Sequence, residues 1–157
     1  MVDISFAIGF IAGEGYFGVT KNYQWKPYVC PRFSIQVHER DGKLLKEIQN
    51  DIFEGAGRFS ERGDRPHVEW EVKTKEDVTY LRNKIEAYAP DIWEKSDKFK
   101  NFEIWSEIVE IHSGEKTTTT EERIEIAERA KQLNKDAGHN NVDWDEFIQR
   151  LNDYEQQ

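Results

Sequence analysis

The hydrophobic and polar residues along the chain follow two different periods, and the period changes several times. Ile4–Gly13 is apolar or small on every side except for Ser5, which predicts a short helix that is buried all round. At roughly ten residues this helix is too short to cross a bilayer. From Tyr16 the pattern alternates, and it predicts strands at Tyr16–Tyr23 and Arg32–Arg40.

The same two periods continue through the middle of the chain. Asp41 is a candidate N-cap for a helix that extends to Phe53. A second hairpin follows, with strands at Arg58–Arg62 and His67–Lys73, and a third helix ends before Pro90. The predicted order of elements is therefore αββαββα, which indicates an α+β fold with an antiparallel sheet.

The remainder of the chain has only helical periodicity. Three more helices are predicted, at Ser96–His112, at Glu121–Asn134 and after Asp143. The length of 157 residues fits one domain with a real hydrophobic core. We therefore expect a single domain over residues 1–157, with a core at residues 1–90 and a helical C-terminal extension at residues 91–157.

One stripe of the first helix is almost without side chains. Ser5, Gly9 and Gly13 recur at every fourth residue, and Ala12 lies beside them. Glycine costs helix stability, but such a stripe lets another backbone approach closely. The stripe therefore predicts a packing partner for this helix.

Glu14 follows this stripe, at the position where the helix should end. A carboxylate is unfavourable there, because the C-terminal end of a helix carries the negative end of its dipole. An unfavourable charge at the end of an apolar helix suggests a cation bound opposite it. The alternative is that Glu14 is an ordinary solvated helix end.

The net charge of −9 argues at first against nucleic-acid binding, since duplex DNA repels an acidic protein. The distribution of the charge changes this interpretation. Residues 1–19 carry −2, residues 20–73 carry +1, residues 74–102 are neutral and residues 103–157 carry −8. A DNA-facing surface in the middle of the chain is therefore compatible with the composition.

Several classes of protein are excluded by the composition. The single cysteine, Cys30, excludes an internal disulfide framework and a cysteine-rich zinc site. The four histidines are scattered and show no metal-binding spacing. The sequence has no signal peptide and no long apolar run, so we expect a cytoplasmic protein without a membrane partner, with a nucleoid-associated or organellar location left open.

The residues around Glu14 carry a resemblance to a known family. Ala7–Gly15, followed by Tyr16 and Phe17, resembles the signature of the LAGLIDADG homing endonucleases. The small positions, the acidic position and the closing glycine of that signature are matched by Gly9, Gly13, Glu14 and Gly15. The departures are at Ala7, Ile8 and Ala12, which concern packing and a helix-end contact. The order of elements also resembles a single-motif member of the family, most weakly after residue 112.

This resemblance implies a homodimeric, site-specific double-strand DNA endonuclease that requires Mg²⁺ or Mn²⁺. In the family, the last acidic residue of the motif helix binds the catalytic metal, so Glu14 and Gly13 are the implied metal-site residues. No second motif follows in this sequence, and the implied partner is the same helix of a second copy. The implied dimer interface consists of Ser5, Ile8, Gly9, Ala12 and Gly13.

The resemblance also implies a lysine after the third helix and a polar residue at the end of the second strand. Lys95, five residues beyond Pro90, fits the lysine position best by spacing, and Lys98 is the second choice. Either could equally be an ordinary surface lysine. Glu39 is the closest match for the polar residue that positions water, although the family often has glutamine there.

The outward residues of the strands are implied to form a saddle on the major groove of DNA. Arginine, lysine and glutamine donate to guanine and adenine edges and to phosphates, and glutamate accepts from cytosine. The implied DNA-binding residues are Gly18, Thr20, Asn22, Arg32, Ser34, Gln36, His38, Arg40, Arg58, Ser60, Arg62, His67, Glu69, Glu71 and Lys73.

Two other functions are compatible with the sequence. The first is a binding protein of the same fold that recognises DNA, or its own intron RNA as a maturase, without cutting. The second is a small α+β interaction protein whose glycine stripe only forms a dimer. The presence of Glu14 favours cleavage over the first, whereas the low positive charge of the sheet segment indicates weak activity.

Overall fold

The computed structural model describes residues 1–23, 27–114, 118–133 and 142–155. Its elements are, in chain order, α1 (Ile4–Glu14), β1 (Tyr16–Asn22), β2 (Tyr28–His38), α2 (Gly42–Phe53), β3 (Arg58–Arg62), β4 (His67–Val72), α3 (Lys75–Tyr88), α4 (Asp97–His112), α5 (Thr120–Leu133) and α6 (Val142–Glu155). Short 3₁₀ helices, Glu39–Asp41 and Asp91–Lys95, precede α2 and α4. The predicted αββαββα order is confirmed.

The four strands form one antiparallel sheet in the order β1-β2-β4-β3. One register row crosses the whole sheet, because Tyr16 lies opposite Ser34, Ser34 opposite Glu71, and Glu71 opposite Arg58. In β4 every second side chain is buried, as the alternation predicted. One face of the sheet is therefore covered by helices, and the other carries the polar residues.

Strand β2 is longer at its start than the sequence predicted. It begins at Tyr28 rather than Arg32 and ends at His38 rather than Arg40, where a 3₁₀ helix takes over. Pro31 lies inside the strand, opposite Val19 of β1. Among the described residues, β4 pairs with β2 only from Phe33 onward. Proline is tolerated at such a position, because β2 has no neighbouring strand on its β4 side there, in the part of the chain that the structure describes. The N–H that proline lacks is therefore not needed for a hydrogen bond on that side.

Asp41 does not cap α2 through its side chain. The backbone of Asp41 has ψ 4°, and its side chain makes no capping hydrogen bond. A capping side chain requires an extended backbone at the N-cap, and the preceding 3₁₀ helix prevents it. The predicted extent of α2 to Phe53 is confirmed.

Helix α1 has 11 residues and begins after Asp3. The side chain of Asp3 accepts a hydrogen bond of 2.8 Å from the backbone N–H of Ser5. None of the helices within the described ranges is long and apolar enough to cross a membrane. The prediction that α1 is buried all round is wrong for a single chain. Ala7, Ile8 and Ile11 are buried, whereas the opposite face of the helix is exposed.

Helices α4, α5 and α6 support the β1–β2 hairpin from the covered face of the sheet. Lys21 Nζ lies 4.6 Å from the centre of the Trp144 ring. The rings of Tyr23 and Phe147 meet edge to face at 5.3 Å. Because an isolated two-stranded hairpin is marginally stable, these contacts of α6 hold the free end of the hairpin in place.

Replacing Trp144 with alanine should therefore destabilise the whole chain. Trp144 is 2% exposed, and truncating a buried tryptophan costs about 3–5 kcal/mol. Urea unfolding followed by circular dichroism measures the change, with Gln149→Ala on the exposed face of α6 as the control. An unfolding free energy equal to that of the control would mean that α6 does not pack on the hairpin.

Candidate functional site

The site is organised around the C-terminal end of α1, where Glu14 is the last helical residue. Gly15 closes the helix by donating its N–H to the carbonyl oxygen of Ile11 at 2.8 Å. The Glu14 side chain is exposed, and the carbonyl of Gly13 belongs to the last turn, whose oxygens have no partner within the helix. This end of α1 therefore presents carboxylate and carbonyl oxygens together.

Gly15 is required by the close approach of α1 to the sheet. A Cβ atom at this position would lie 2.6 Å from the carbonyl oxygen of Ile11 and 2.9 Å from the ring of Phe33. Both neighbours are fixed, the first by the helix and the second by the core, where Phe33 is 0% exposed. The closing glycine of the motif thus determines how deeply the end of α1 packs, and with it the position of Glu14.

Lys98 reaches this same end of α1 from the first turn of α4. Its Nζ donates a hydrogen bond to the carbonyl oxygen of Gly15, 83 residues earlier in the chain. Burial lowers the pKa of the Lys98 ammonium, and the negative charge of Glu14 acts in the opposite direction. The structure therefore brings together the acidic residue and one of the two candidate lysines.

Lys95, the candidate that fitted best by spacing, lies elsewhere. It ends the 3₁₀ helix Asp91–Lys95, and its side chain is exposed. No contact among the described residues joins Lys95 to α1. Spacing alone favoured Lys95, whereas Ser96 caps α4 and places Lys98 in the first turn of that helix, from which it reaches Gly15.

Glu39 lies in the 3₁₀ helix after β2, on the rim of a surface cavity of about 670 Å³. Its N–H donates to the carbonyl of Pro66 at 2.8 Å, and its side chain is exposed. Beside it, His38 Nδ1 accepts from the backbone N–H of Arg40 at 3.2 Å and from Arg40 Nε at 3.3 Å. None of the described contacts joins Glu39 to Glu14 or to Lys98.

The polar face of the sheet carries most of the residues selected as DNA-binding, with two corrections. Ser34 is only 8% exposed, so it offers little surface. Gly18 is buried because the ring of Tyr16 covers it, with a ring carbon 2.4 Å from where a Cβ would lie. Tyr16, 41% exposed, is the residue that presents surface here, and the alternation of β1 already placed it on this face.

Other selected residues of this face contact neighbouring side chains. Asn22 Nδ2 donates to the Tyr28 hydroxyl at 2.7 Å, and the rings of His38 and His67 meet at 5.9 Å. The exposed or half-buried members also include Thr20, Gln36, Arg40, Arg58, Ser60 and Lys73. The Arg62 side chain lies outside the described part of the chain.

An ion-pair cluster occupies the centre of this face. Arg32 Nη2 lies 2.7 Å from Glu71 Oε2 and 3.4 Å from Glu69 Oε1. Glu71 also pairs with Lys73 at 3.1 Å. The sequence placed all four residues on one face, but it could not show that they neutralise each other.

The exposed face of α1 holds most of the residues assigned to the dimer interface. Ser5, Gly9 and Gly13 are exposed, and a Cβ atom on either glycine would meet nothing within 4 Å. Phe6 beside them is 50% exposed. Ile8 is a correction, because it is 1% exposed and packs in the core of its own chain, where a second chain would not touch it.

The chain is similar to one protein family and to a known fungal protein. A family model described as LAGLIDADG endonuclease matches residues 7–109. The chain is 37% identical over 134 residues, 83% of its length, to a protein of Neurospora crassa described as "Probable intron-encoded endonuclease 2". It spans 29% of the length of that relative.

Solved structures with the same fold include two that the chain covers almost completely. The archaeal intron-encoded homing endonuclease I-Vdi141I, complexed with DNA, superposes with a TM-score of 0.84 at 20% identity, over 98% of this chain and 97% of that one. The homing endonuclease I-TnaI superposes with a TM-score of 0.79 at 21% identity, over 96% and 98% of the two chains. These likenesses establish the fold.

Proposed function

The chain belongs to the LAGLIDADG endonuclease family, and we propose that two copies of it form a site-specific endonuclease that cuts double-stranded DNA with a divalent cation. One observation carries the proposal: Lys98 binds the carbonyl of Gly15 and lies close enough to Glu14 to feel its charge, at the exposed end of the motif helix. Both residues lie within the family match at residues 7–109. DNA-bound relatives of the same fold support DNA as the substrate.

The end of α1 has the donors that a hard divalent cation prefers. Mg²⁺ and Mn²⁺ bind carboxylate and carbonyl oxygens, and the Glu14 carboxylate and the Gly13 carbonyl are such groups. Within the described residues, no group of three acidic, histidine or cysteine side chains could hold a metal ion. One copy therefore supplies an incomplete site, and a second Glu14 would supply the missing charge.

When bound, the cation supplies Lewis-acid stabilisation of the charge that develops on the phosphate during hydrolysis. Lys98 adds a second positive charge from the protein itself. Its ammonium is fixed by the hydrogen bond to the Gly15 carbonyl, next to Glu14. A charge held in place before the reaction stabilises a developing oxyanion without further reorganisation.

The open face of α1 supports a symmetric dimer. Gly9 and Gly13 leave room for a second backbone, and the exposed Phe6 adds apolar surface that would otherwise face water. In a twofold dimer the same patch is used by both copies. The two Glu14 residues, each at the end of its helix, would then lie on either side of the axis.

The polar face of the sheet supplies side chains for DNA recognition. Arginine and lysine donate to phosphates and guanine edges, and glutamine reads adenine. Arg32, Gln36 and Arg58 provide these groups on the sheet, and Arg40 follows β2 in the 3₁₀ helix Glu39–Asp41. Among the described residues of 103–157, most acidic side chains belong to α4, α5 and α6, and α4 and α5 pack on β1 and β2.

Selection from a randomised duplex library tests this function. The purified chain is incubated with the library and Mg²⁺, and cut ends are sequenced. We expect one family of cut sites with approximate twofold symmetry and no cutting in EDTA. Enrichment of bound but uncut duplex would support a DNA-binding protein instead, and the absence of any enrichment would contradict both.

Replacing Lys98 with methionine should reduce cleavage by about 10²–10³-fold, since this is the usual effect of removing one preorganised electrostatic donor. Methionine keeps the length of the aliphatic chain, so folding should be retained. Lys95→Met is the matched control and should leave the single-turnover rate unchanged. If Lys95→Met slows cleavage and Lys98→Met does not, then spacing identified the correct lysine and the contact with Gly15 is only structural.

A further inference from the structure

The polar face of the sheet contains an arginine that two carboxylates hold at its centre. Both ion pairs of Arg32 are made by Nη2, at 2.7 Å to Glu71 and 3.4 Å to Glu69. The side chains of the three residues are 30%, 18% and 13% exposed, in the order Arg32, Glu71, Glu69. They are open enough to be touched from outside, yet well shielded for charged groups on a sheet surface.

This cluster is positioned rigidly from the covered face of the sheet. The Nε1 atom of Trp105, a fully buried residue of α4, donates to the backbone carbonyl of Arg32 at 3.0 Å. On the neighbouring strand Arg32 lies opposite Gly18, which the ring of Tyr16 covers. Recognition residues that are fixed in this way lose little conformational entropy on binding.

The cluster is not suited to phosphates. Together with Lys73, which pairs with Glu71 at 3.1 Å, it contains two positive and two negative charges. A phosphate would meet two carboxylates as well as the cations, so its net attraction is small. Base edges are different, because they offer donors and acceptors side by side.

We infer that Arg32 and Glu71 together read one G·C base pair of the DNA target, a specificity that rests on the proposed function. In the major groove guanine presents the acceptors O6 and N7, and cytosine presents the N4 amino donor. Guanine O6 and cytosine N4 are joined by a Watson–Crick hydrogen bond, so they lie one hydrogen-bond length apart. Arg32 Nη2 and Glu71 Oε2 are separated by a similar distance, 2.7 Å. An arginine has five N–H donors. In Arg32 both carboxylate contacts are made by Nη2 and Nε is buried without a partner, so Nη1 is the nitrogen left to donate to guanine.

The pair rejects A·T and C·G through its two members, and it distinguishes G·C from T·A by a second arginine donor to guanine N7, where thymine presents a methyl group. A carboxylate at the position of cytosine would face the O4 acceptor of thymine or the acceptors of guanine, and this arrangement is repulsive. Arginine facing the N6 amino group of adenine would oppose one donor to another. Glu69 makes the longer of the two contacts to Arg32 and is the less exposed carboxylate, so Glu71 is the one that we place next to the base edge.

The same cluster would have a simpler role if it only stabilised the sheet. Cross-strand ion pairs contribute to stability without any part in binding. The two roles differ in one measurable property, which is the base preference of the bound DNA. Stabilisation alone would change affinity for all sequences equally.

The test is selection from a randomised duplex library in EDTA, where bound DNA is recovered and sequenced. It compares the wild type with Arg32→Gln and Glu71→Gln. The controls are Arg129→Gln and Glu107→Gln, which break an ion pair of 3.3 Å between α5 and α4. Thermal melting of each variant reports whether it is folded.

We expect a G·C preference of roughly 5- to 150-fold at one position of each half-site in the wild type. In Arg32→Gln this position should change toward A·T, since glutamine pairs with adenine N6 and N7. In Glu71→Gln the requirement for cytosine should weaken, because an amide both donates and accepts. All other positions, and both controls, should keep the wild-type preferences.

Base preferences that are identical in the wild type, Arg32→Gln and Glu71→Gln would overturn the inference and leave the proposed function intact. A wild type that enriches no sequence would contradict the proposed function itself, and this inference with it. If Arg32→Gln does not fold, Glu71→Gln decides, because its amide still accepts a hydrogen bond from Arg32.

Discussion

Replacing Glu14 with glutamine should abolish DNA cleavage and leave specific DNA binding intact. Glutamine keeps the size of the side chain and one carbonyl oxygen, but it removes the charge that a hard divalent cation requires. Cleavage should fall by at least about 10³-fold in single-turnover assays, because the effect applies twice in a symmetric dimer. Binding should survive, since the proposed base-reading residues lie on the strands and Glu14 lies at the end of a helix.

The stability of Glu14→Gln separates this role from a structural one. A carboxylate at the C-terminal end of a helix is unfavourable by about 0.3–1 kcal/mol, and the attraction of Lys98 offsets part of this cost. Stability should therefore hold or rise slightly, as measured by thermal melting. A sharp loss of stability would indicate that Glu14 is mainly structural.

A matched control exists in the same chain. Glu155 is the last residue of α6, as Glu14 is the last residue of α1, and both side chains are exposed. Glu155→Gln removes the same charge from the same position of a helix dipole and should leave cleavage unchanged. Wild-type cleavage by Glu14→Gln would remove this residue from the mechanism.

Replacing Gly9 with leucine should convert the proposed dimer into a folded monomer. A close-packed interface cannot absorb a large side chain, and each inserted side chain costs about 1–3 kcal/mol. A symmetric dimer contains two of them, so the dissociation constant should rise by at least about tenfold and often far more. Sedimentation velocity across a concentration series measures this change, and cleavage should fall with dimerisation.

The single chain itself should tolerate this leucine. A Cβ atom at Gly9 would meet nothing within 4 Å, and a non-glycine residue stabilises a helix interior by about 0.5–1 kcal/mol. Gly9→Ala should give a graded, weaker effect, while Gly63→Leu adds a leucine to another open position and should stay dimeric. A Gly9→Leu protein that remains dimeric would show that α1 does not form the interface.

The two lysines show most clearly what the sequence alone could not predict. Local spacing favoured Lys95, yet the chain folds so that Lys98 donates to Gly15, across 83 residues. No local pattern contains that distance, because it depends on how α4 packs against β1 and α1. The same reason applies to Ile8, which belongs to the motif stripe in sequence and to the core of its own chain in three dimensions.

The sequence by itself determined the order of the elements, the apolar motif helix ending at Glu14, and the polar face of the sheet. These features depend on periods of about two and 3.6 residues and on nearby glycines, which are local properties of the chain. Only the tertiary structure decided that Glu69 and Glu71 hold Arg32 and that Lys98 lies beside Glu14. Such contacts join residues far apart in sequence, and packing of whole elements, rather than local preference, brings them together.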